Sequence, residues 1–413
     1  MIKKILIFLS IVSLSYSESY KIQDSFNEFG ISLFKKINSN DNSTFMISPI
    51  SVSYALMMVN YGASGKTYDQ ILSVLNLNYT DLKNYFWSDY TNDYKLMSNT
   101  DLKDFFDLYN GSDSKFQINN GVWIQNDKCY KPNLEYVNYI DSVFNGKISY
   151  VDFYANRHSI IEKINNWVDK KTFGTIQDIV SENDIKKHTT QALINSIYFK
   201  DNWQFPFDNS KTKINSFFYQ DKIFKNMFMN KKNKFAHYKS SDFHLLEIPY
   251  QTNGISMLIF LPSQAIDLDS FIDSFDYQLF SKSVDSLKYG VGDVSIPKFA
   301  LEYSVSLKDY LIEMGMSAAF NPADANFDKF WNFQQECKKY PPRHYIDIVN
   351  HKSYISIDEN GTEASAATAV IISRVTSIRP DNHFVFNANS PFIYVIYDKV
   401  NNNIMFIGQY LGE

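Results

Sequence analysis

Residues 358–377 read DENGTEASAATAVIISRVTS: an acidic turn, a run of small residues, a short apolar segment and then an arginine. Side chains alternate between the two faces of a β-strand. As a strand, this stretch would have one face that is small or apolar throughout: Thr362, Ala364, Ala366, Thr368, Val370 and Ile372. A proline, a charge or a bulky polar side chain there would obstruct entry into a sheet, and none is present. As a strand, the segment could therefore bury one face without burying a charge.

The composition excludes a disordered chain. Of the 413 residues, 45% are hydrophobic and 16% are aromatic, which is enough for a sizeable core. The length allows one large domain or two to three ordinary ones. The formal net charge is only −5, so the sequence predicts no nucleic acid and no other polyanion as a partner.

The N-terminus predicts export. Residues 1–17 combine two lysines, an apolar run and a small-x-small ending, Ser15-Tyr16-Ser17, which is typical of a secretory signal peptide. No other segment approaches the roughly 20 apolar residues that a membrane-spanning helix needs. We therefore expect a secreted, extracellular protein without a membrane-spanning segment.

Export makes two covalent modifications relevant. N-x-S/T sequons predict glycosylation at Asn42, Asn78, Asn110 and Asn360. The only cysteines are Cys129 and Cys337, and the sequence leaves open whether they form a disulfide or remain free thiols.

Helix-like and strand-like segments are mixed along the chain. Apolar spacing and helix-start signals predict helices at residues 25–37, 51–60 and 160–171. Runs rich in β-branched and aromatic residues predict strands at residues 117–125, 190–199, 243–250, 255–261, 293–299 and 392–397. Because no linker or repeat divides the chain, we predict an α+β fold with helices early and strands concentrated later.

No set of residues supports enzymatic chemistry. His237 and His244 are seven positions apart, as are His344 and His351, but no carboxylate or cysteine completes a metal site with either pair. The segment GASG at residues 62–65 does not match the G-x-S-x-G nucleophile elbow. We expect no catalytic residues, no metal and no cofactor.

Five motifs, in order along the chain, resemble those of the serpin family of serine protease inhibitors, over about residues 20–408. They are TFMISPISVSYALMMVNYGASGKTYDQI (44–71), INNWVDKKTFGTIQDIV (164–180), LINSIYFKDNWQFPF (193–207), HKSYISIDENGTEASAATAV (351–370) and FNANSPFIYVI (386–396). The resemblance implies one serpin domain at residues 18–413, with three β-sheets, about nine helices and an exposed reactive-centre loop at about residues 359–380.

The resemblance also implies a mechanism. Serpins offer the loop as bait to a serine protease, and the cleaved loop enters a sheet as an extra strand while the protease stays covalently attached. By this resemblance the hinge of the loop comprises Glu359, Gly361, Thr362, Glu363, Ala364, Ser365, Ala366 and Ala367. We expect a secreted, monomeric inhibitor. The alternative is a non-inhibitory serpin that acts as a carrier, chaperone or storage protein, and the alternation of small residues argues against it.

Framework positions of the family are also matched. The resemblance implies that Glu359 pairs with Lys298 near the point where the loop enters the sheet. It further implies a polar cluster beneath the opening sheet, with Trp203 above it; the cluster comprises Ser48, Ser51, Asn195 and His351. Ordinary buried hydrogen bonding would explain the same polar residues, and both interpretations can hold together.

Two peptide bonds are candidates for the bond that the protease cleaves. Family spacing counted from Glu359 favours the bond between Val375 and Thr376, which would suit an elastase-like protease. A register one residue shorter selects the bond between Arg374 and Val375, which would suit a trypsin-like protease with an acidic pocket. A glycan on Asn360 would hinder insertion of the neighbouring hinge, so we expect that sequon to be mostly unoccupied.

Two regions depart from the family pattern. Residues 320–345 look longer and more aromatic than the usual connection, and predict either an insertion in an exposed loop or a secondary binding surface. Residues 81–113, roughly where heparin-dependent serpins carry a basic helix, hold lysines diluted by many acids. We therefore expect no heparin-type cofactor.

Overall fold

A computed structural model describes residues 20–77, 116–126, 130–333, 344–362 and 383–412. These ranges contain eight α-helices: α1 (Tyr20–Asn38), α2 (Pro49–Tyr61), α3 (Gly65–Val74), α4 (Leu134–Phe144), α5 (Phe153–Lys171), α6 (Leu268–Ser274), α7 (Tyr277–Asp285) and α8 (Lys308–Glu313). Within the same ranges, no helix is both long and apolar enough to cross a membrane.

The described strands form three sheets, as predicted, in an α+β arrangement. The strands are β1 (Phe45–Ile47), β2 (Phe116–Gln125), β3 (Tyr130–Pro132), β4 (Lys147–Val151), β5 (Gln191–Phe199), β6 (Asp201–Asn202), β7 (Lys213–Tyr219), β8 (Lys222–Lys239), β9 (Phe243–Pro249), β10 (Ile255–Pro262), β11 (Lys288–Pro297), β12 (Phe299–Ser306), β13 (Trp331–Phe333), β14 (Ile348–Ile357), β15 (Gly361–Thr362), β16 (His383–Asn387), β17 (Phe392–Asp398) and β18 (Asn403–Tyr410).

The chain divides into two compact units. The first consists of Met1–Phe29, Ile50–Ile197 and Ser304–Lys352, and the second of Gly30–Pro49, Tyr198–Tyr303 and Ser353–Glu413. The backbone passes from one unit to the other within α1, β5, β12 and β14, and at the first residue of α2. The prediction of a single domain at residues 18–413 stays a prediction.

In the first unit the strand order is β4-β2-β5-β14, with β2 and β4 parallel. Helix α2 is apolar on nearly all sides and is almost wholly buried, as expected for a helix inside a core. It ends just before Gly62, where an added Cβ would lie 1.7 Å from the Phe330 ring. Glycine at this position therefore admits an aromatic residue from the distant segment 320–333.

That segment corrects an expectation. An exposed loop was predicted at residues 320–345, but Phe327, Phe330 and Trp331 are buried, and β13 pairs with β3. The hydroxyl of Tyr150 donates a hydrogen bond of 2.7 Å to the carbonyl oxygen of Phe330. Only the polar stretch 321–324 is exposed throughout. The aromatic residues therefore anchor the described part of this insertion in the core and are not free to form a binding surface.

In the second unit the large sheet has the order β1-β18-β17-β10-β9-β8-β11-β16, and β7 pairs with β8. Strands β17 and β18 are buried along their whole length. The predicted strand at residues 293–299 proves to be the end of β11 and the start of β12. The two strands are separated at Lys298, whose amide donates to the carbonyl of Met227, and Pro297 has no amide hydrogen for a ladder.

Candidate functional site

The hinge of the predicted bait loop begins with a tight turn after β14. The carboxylate of Asp358 accepts hydrogen bonds from the amides of Asn360, at 2.7 Å, and Gly361, at 3.2 Å. Aspartate commonly stabilises a turn by bonding to amides that follow it in this way. The turn reverses the chain, so β15 runs antiparallel to β14, with Thr362 opposite Ile357.

Strand β15 lies between β14 and β6 in the second unit. On its far side Gly361 pairs with Asn202 and Thr362 pairs with Asp201. An added Cβ on Gly361 would lie 2.1 Å from the carbonyl oxygen of Asp201, so only glycine allows this approach. The hinge residues Gly361 and Thr362 thus already occupy a strand position within the sheet.

Thr362 points into the interior. Its side chain is fully buried, and its hydroxyl lies 2.6 Å from the hydroxyl of Tyr250. Burial raises the pKa of Tyr250 far above its ordinary value, so the phenol stays neutral and can share this hydrogen bond. The face that the sequence assigns to the sheet interior therefore starts, at Thr362, on the buried side.

Trp203 holds the turn from one side. Its indole Nε1 donates to the carbonyl oxygen of Asp358 at 2.8 Å, and its backbone amide donates to the carbonyl oxygen of Asn360 at 2.7 Å. Its ring is fully buried and stacks on Tyr250, with a centroid distance of 4.4 Å. The same tyrosine thus contacts Trp203 and Thr362, which links the turn to the start of the insertion face.

Glu359 is held by two side chains. Lys298 Nζ lies 2.6 Å from Glu359 Oε2, and the hydroxyl of Thr212 donates to Glu359 Oε1 at 2.7 Å. Burial disfavours the charged carboxylate, but these hydrogen bonds outweigh it, so the pKa of Glu359 lies below its usual value. The ion pair that the sequence predicts is present, and its role at the hinge stays a prediction.

Three residues of the predicted polar cluster meet in the first unit. Asn195, on β5, donates to the hydroxyl of Ser51 at 2.6 Å, and its carbonyl oxygen faces His351 Nδ1, on β14. Asn120, on β2, accepts from Asn195 and donates to the backbone of Ser51 at 3.2 Å. The cluster therefore joins α2 to three neighbouring strands through side chains that are all buried.

His351 is neutral in this cluster. Complete burial lowers its pKa to about 3, because the charged imidazolium would lose its hydration in the interior. The cluster thus consists of neutral groups only. Such a network can be broken and formed again without moving a charge through the interior.

Ser48 and Trp203 belong to the second unit, unlike the other members of the predicted cluster. The hydroxyl of Ser48 donates to the carbonyl oxygen of Met405 at 2.6 Å.

Of the predicted glycosylation sites, Asn42 is exposed and Asn360 is half-buried in the hinge turn. Other predicted residues lie outside the described ranges: Glu363, Ala364, Ser365, Ala366, Ala367, Arg374, Val375, Thr376, Asn78, Asn110, Cys129, Cys337 and residues 1–17.

Sequence reasoning missed four residues of these sites. Tyr250 and Thr212 lie more than one hundred positions from the hinge residues that they contact, so no local pattern could reveal them. Asp358 was visible as part of an acidic turn. Asn120 gave a signal together with its neighbour Asn119, since amides at buried positions of a strand need hydrogen-bond partners. Across the described ranges, no group of three or more metal-ligating side chains occurs.

Comparison with known proteins identifies the family. A sequence model described as "Serpin (serine protease inhibitor)" matches residues 24–412. This chain belongs to the serpin family. Serpins are in general inhibitors that form complexes with serine proteases, and they are typically not enzymes.

Individual relatives agree with this assignment. An uncharacterised serpin-like protein of Thermococcus kodakarensis is 31% identical over 395 residues, covering 95% of this serpin and 85% of that protein. Human serpin B4 is 27% identical over 396 residues, covering 94% and 98%. The crystal structure of the thermophilic serpin tengpin in its native state has a TM-score of 0.79 and 28% identity, covering 94% and 93% of the two chains.

Proposed function

We propose that this serpin is a secreted inhibitor of serine proteases that traps its target by inserting the cleaved loop into the sheet. The observation that carries the proposal is the position of β15. Gly361 and Thr362 already lie between β14 and β6, and the uncharged alternate residues of the loop follow directly. Insertion would continue a strand that has already started.

The register of β15 defines the inserted state. Thr362 lies opposite Ile357, so the next residues of the same face would follow as Ala364 opposite Ile355 and Ala366 opposite Ser353. Continued along β14, this antiparallel register brings Thr368 opposite His351. A hydroxyl would therefore arrive beside the neutral imidazole, where it can donate or accept a hydrogen bond.

The polar cluster would act as a latch. The bond between Asn195 on β5 and His351 on β14 joins two neighbouring strands of the first unit. A strand that enters between β5 and β14 must break this bond. Because Asn195 and His351 are both neutral, breaking their hydrogen bond costs only the free energy of one hydrogen bond exchanged for another. The arriving Thr368 would offer a replacement hydrogen bond to His351.

At the entry point the hinge contacts would set the starting position. Lys298 and Thr212 hold the carboxylate of Glu359, and Trp203 holds the carbonyl groups on both sides of it. These contacts keep the turn in place while the residues beyond Thr362 enter. Because the turn is held in place, the inserted strand starts at Thr362, and the small uncharged face must therefore begin with this residue.

In the proposed reaction, the serine hydroxyl of the protease attacks the carbonyl carbon of Val375. The amide nitrogen of Thr376 leaves with a proton, and an ester joins the protease to Val375. In the alternative register, Arg374 forms the ester and Val375 leaves. The first bond suits an elastase-like target and the second a trypsin-like target.

The test is incubation of the full secreted chain with elastase, trypsin and chymotrypsin. We expect a complex that survives SDS and a released C-terminal peptide that starts at Thr376, or at Val375 in the alternative register. Cleavage by every protease without any complex would overturn the inhibitory function and leave the carrier alternative. The N-terminus of the secreted protein tests the signal peptide separately, with residue 18 expected as the first residue.

A further inference from the structure

A cavity of about 540 Å³ lies in the second unit, away from the hinge. Its walls come from the turn between β7 and β8, from residues 261–269 after β10, and from residues 387–391 between β16 and β17. The cavity falls within the size range of small-molecule sites. The serpin mechanism proposed above uses none of these residues.

Several polar side chains in the wall have no hydrogen-bond partner in the described part of the protein. Within the described part of the chain, the side chains of five lining residues make no hydrogen bond: Asn42, Gln264, Asn387, Asn389 and Ser390. The Oδ1 atom of Asn387 is even shielded from solvent and still unpaired. A buried polar atom without a partner calls for an explanation, and a ligand that reorients this amide would supply one.

The chemistry of the wall selects a neutral ligand. Among the lining residues that the structure describes there is no lysine, arginine or histidine to attract an anion. Of the two carboxylates, Asp267 is already engaged as the N-cap of α6, where it accepts from the amide of Ser270 at 2.9 Å. Amides and hydroxyls both donate and accept, which matches the hydroxyl and acetamido groups of a sugar. The Phe218 ring, 47% exposed, offers an apolar face for the C–H side of a pyranose.

One lining residue, Asn42, is itself a predicted glycosylation site. Asn42 is exposed and is the acceptor of the sequon Asn42-Ser43-Thr44, so a glycan attached there starts at the cavity wall. A tethered ligand has an effective concentration in the millimolar range, which suffices for a weak carbohydrate site. We propose that this cavity is a carbohydrate-binding site whose occupant is the N-linked glycan of Asn42.

The covalent step is ordinary N-glycosylation. The side-chain nitrogen of Asn42 bonds to C1 of the first sugar, and the lipid diphosphate of the sugar donor leaves as the amide loses one proton. This inference rests on the secretion proposed above but not on protease inhibition. The two can fail separately, since the glycan is measured by mass and the inhibition by complex formation.

The test uses the full chain secreted from eukaryotic cells, with hydrogen exchange followed by mass spectrometry. We expect residues 218–220, 261–269 and 387–391 to exchange about threefold or more slowly in the glycosylated protein than in Asn42→Gln. Asn78→Gln removes a different sequon and should leave this exchange unchanged.

A second variant keeps the glycan and removes its proposed contacts. Gln264→Ala combined with Asn389→Ala deletes two amides that make no hydrogen bond in the described structure, so folding should survive. We expect the mass of the Asn42 glycan to be retained and the exchange to rise to the level of Asn42→Gln. Adding di-N-acetylchitobiose to Asn42→Gln should restore part of the protection.

Three outcomes would overturn the proposal. One is a secreted protein in which Asn42 carries no glycan. Another is a glycosylated protein whose three segments exchange as fast as those of Asn42→Gln. The third is protection of Asn42→Gln by a short neutral peptide but not by the disaccharide, which would make the cavity a peptide site.

Discussion

The hinge and the polar cluster are both predicted to take part in loop insertion, yet they are built from different chemistry. The hinge in the second unit combines an ion pair, a buried indole and a two-residue strand around Glu359 and Thr362. The cluster in the first unit uses only neutral amide, hydroxyl and imidazole groups around Asn195 and His351. A charged anchor suits a part that must stay in place, whereas neutral groups suit a part whose strands must separate.

The largest effect should come from Thr362→Arg, which forces a charge into the buried start of the insertion face. We expect the serpin to become a substrate, with the number of inhibitor molecules consumed per protease trapped rising by about tenfold or more. The ratio of cleaved to complexed serpin on SDS gels measures this. Thr362→Ser keeps the hydroxyl that faces Tyr250 and serves as the matched control. Unchanged trapping by the arginine variant would refute the assigned face.

The second effect concerns the cluster. Asn195→Ala leaves Asn120, Ser51 and His351 without their shared partner, and should lower the free energy of unfolding by about 2–4 kcal/mol. Urea denaturation measures the change. The exposed Asn332 of the same unit provides a control, since Asn332→Ala should have little effect. Equal losses in the two variants would mean that the cluster does not stabilise the native strands.

The third prediction uses the pH dependence of stability to distinguish the polar cluster from the hinge. The pKa of His351 is lowered to about 3 in the folded state, against about 6.5 in an unfolded chain, so acid favours unfolding from about pH 6.5 downwards. Between pH 7 and pH 5 this group should cost on the order of 2 kcal/mol of stability. His351→Gln should flatten this part of the profile of unfolding free energy against pH.

Glu359 should act at lower pH. Its folded pKa lies below the usual value of 4.5, so its stabilising contribution is complete above that value and is lost as the pH falls through the folded pKa. Glu359→Gln should therefore lower the free energy of unfolding by a constant amount above about pH 5 and remove the fall that the wild type shows below about pH 4.5. Burial also lowers the pKa of His244 to about 4. Like His351, His244 should therefore lower the free energy of unfolding as the pH falls from 7 to 5.

The smallest effect should come from the ion pair. Lys298→Met removes the partner of Glu359, but the lysine side chain is 36% exposed, so solvent screens the interaction and the loss should be at most about 1 kcal/mol. Lys232→Met removes a longer and more exposed pair with Asp293, at 3.6 Å, and should cost less. A loss of several kcal/mol at Lys298 would show that the hinge depends on this ion pair more than on Trp203.

Local sequence patterns predicted an element correctly where its own residues carry the signal, and failed where the interacting residues are distant in sequence. The strand at residues 255–261 and the helix at residues 160–171 were predicted because their own side chains repeat with strand or helix spacing, although α5 begins seven residues earlier, at Phe153. The strand β18 was not predicted, although residues 404–407 within it form an apolar run. The segment 320–333 was misjudged because the aromatic residues find their partners around Gly62 and Tyr150, far away in sequence.

The turn at Asp358 and the uncharged alternation after it follow from local chemistry, because a side chain can reach only the next few amides and strand faces alternate by geometry. Those features showed that the segment can bury one face as a strand, and the family resemblance implied its insertion into a sheet. Folding decided which strands receive it: β14 and β6 flank Gly361, and Tyr250 meets Thr362 across 112 positions. Such pairings depend on how distant strands pack together, and packing is a property of the whole chain rather than of any one stretch.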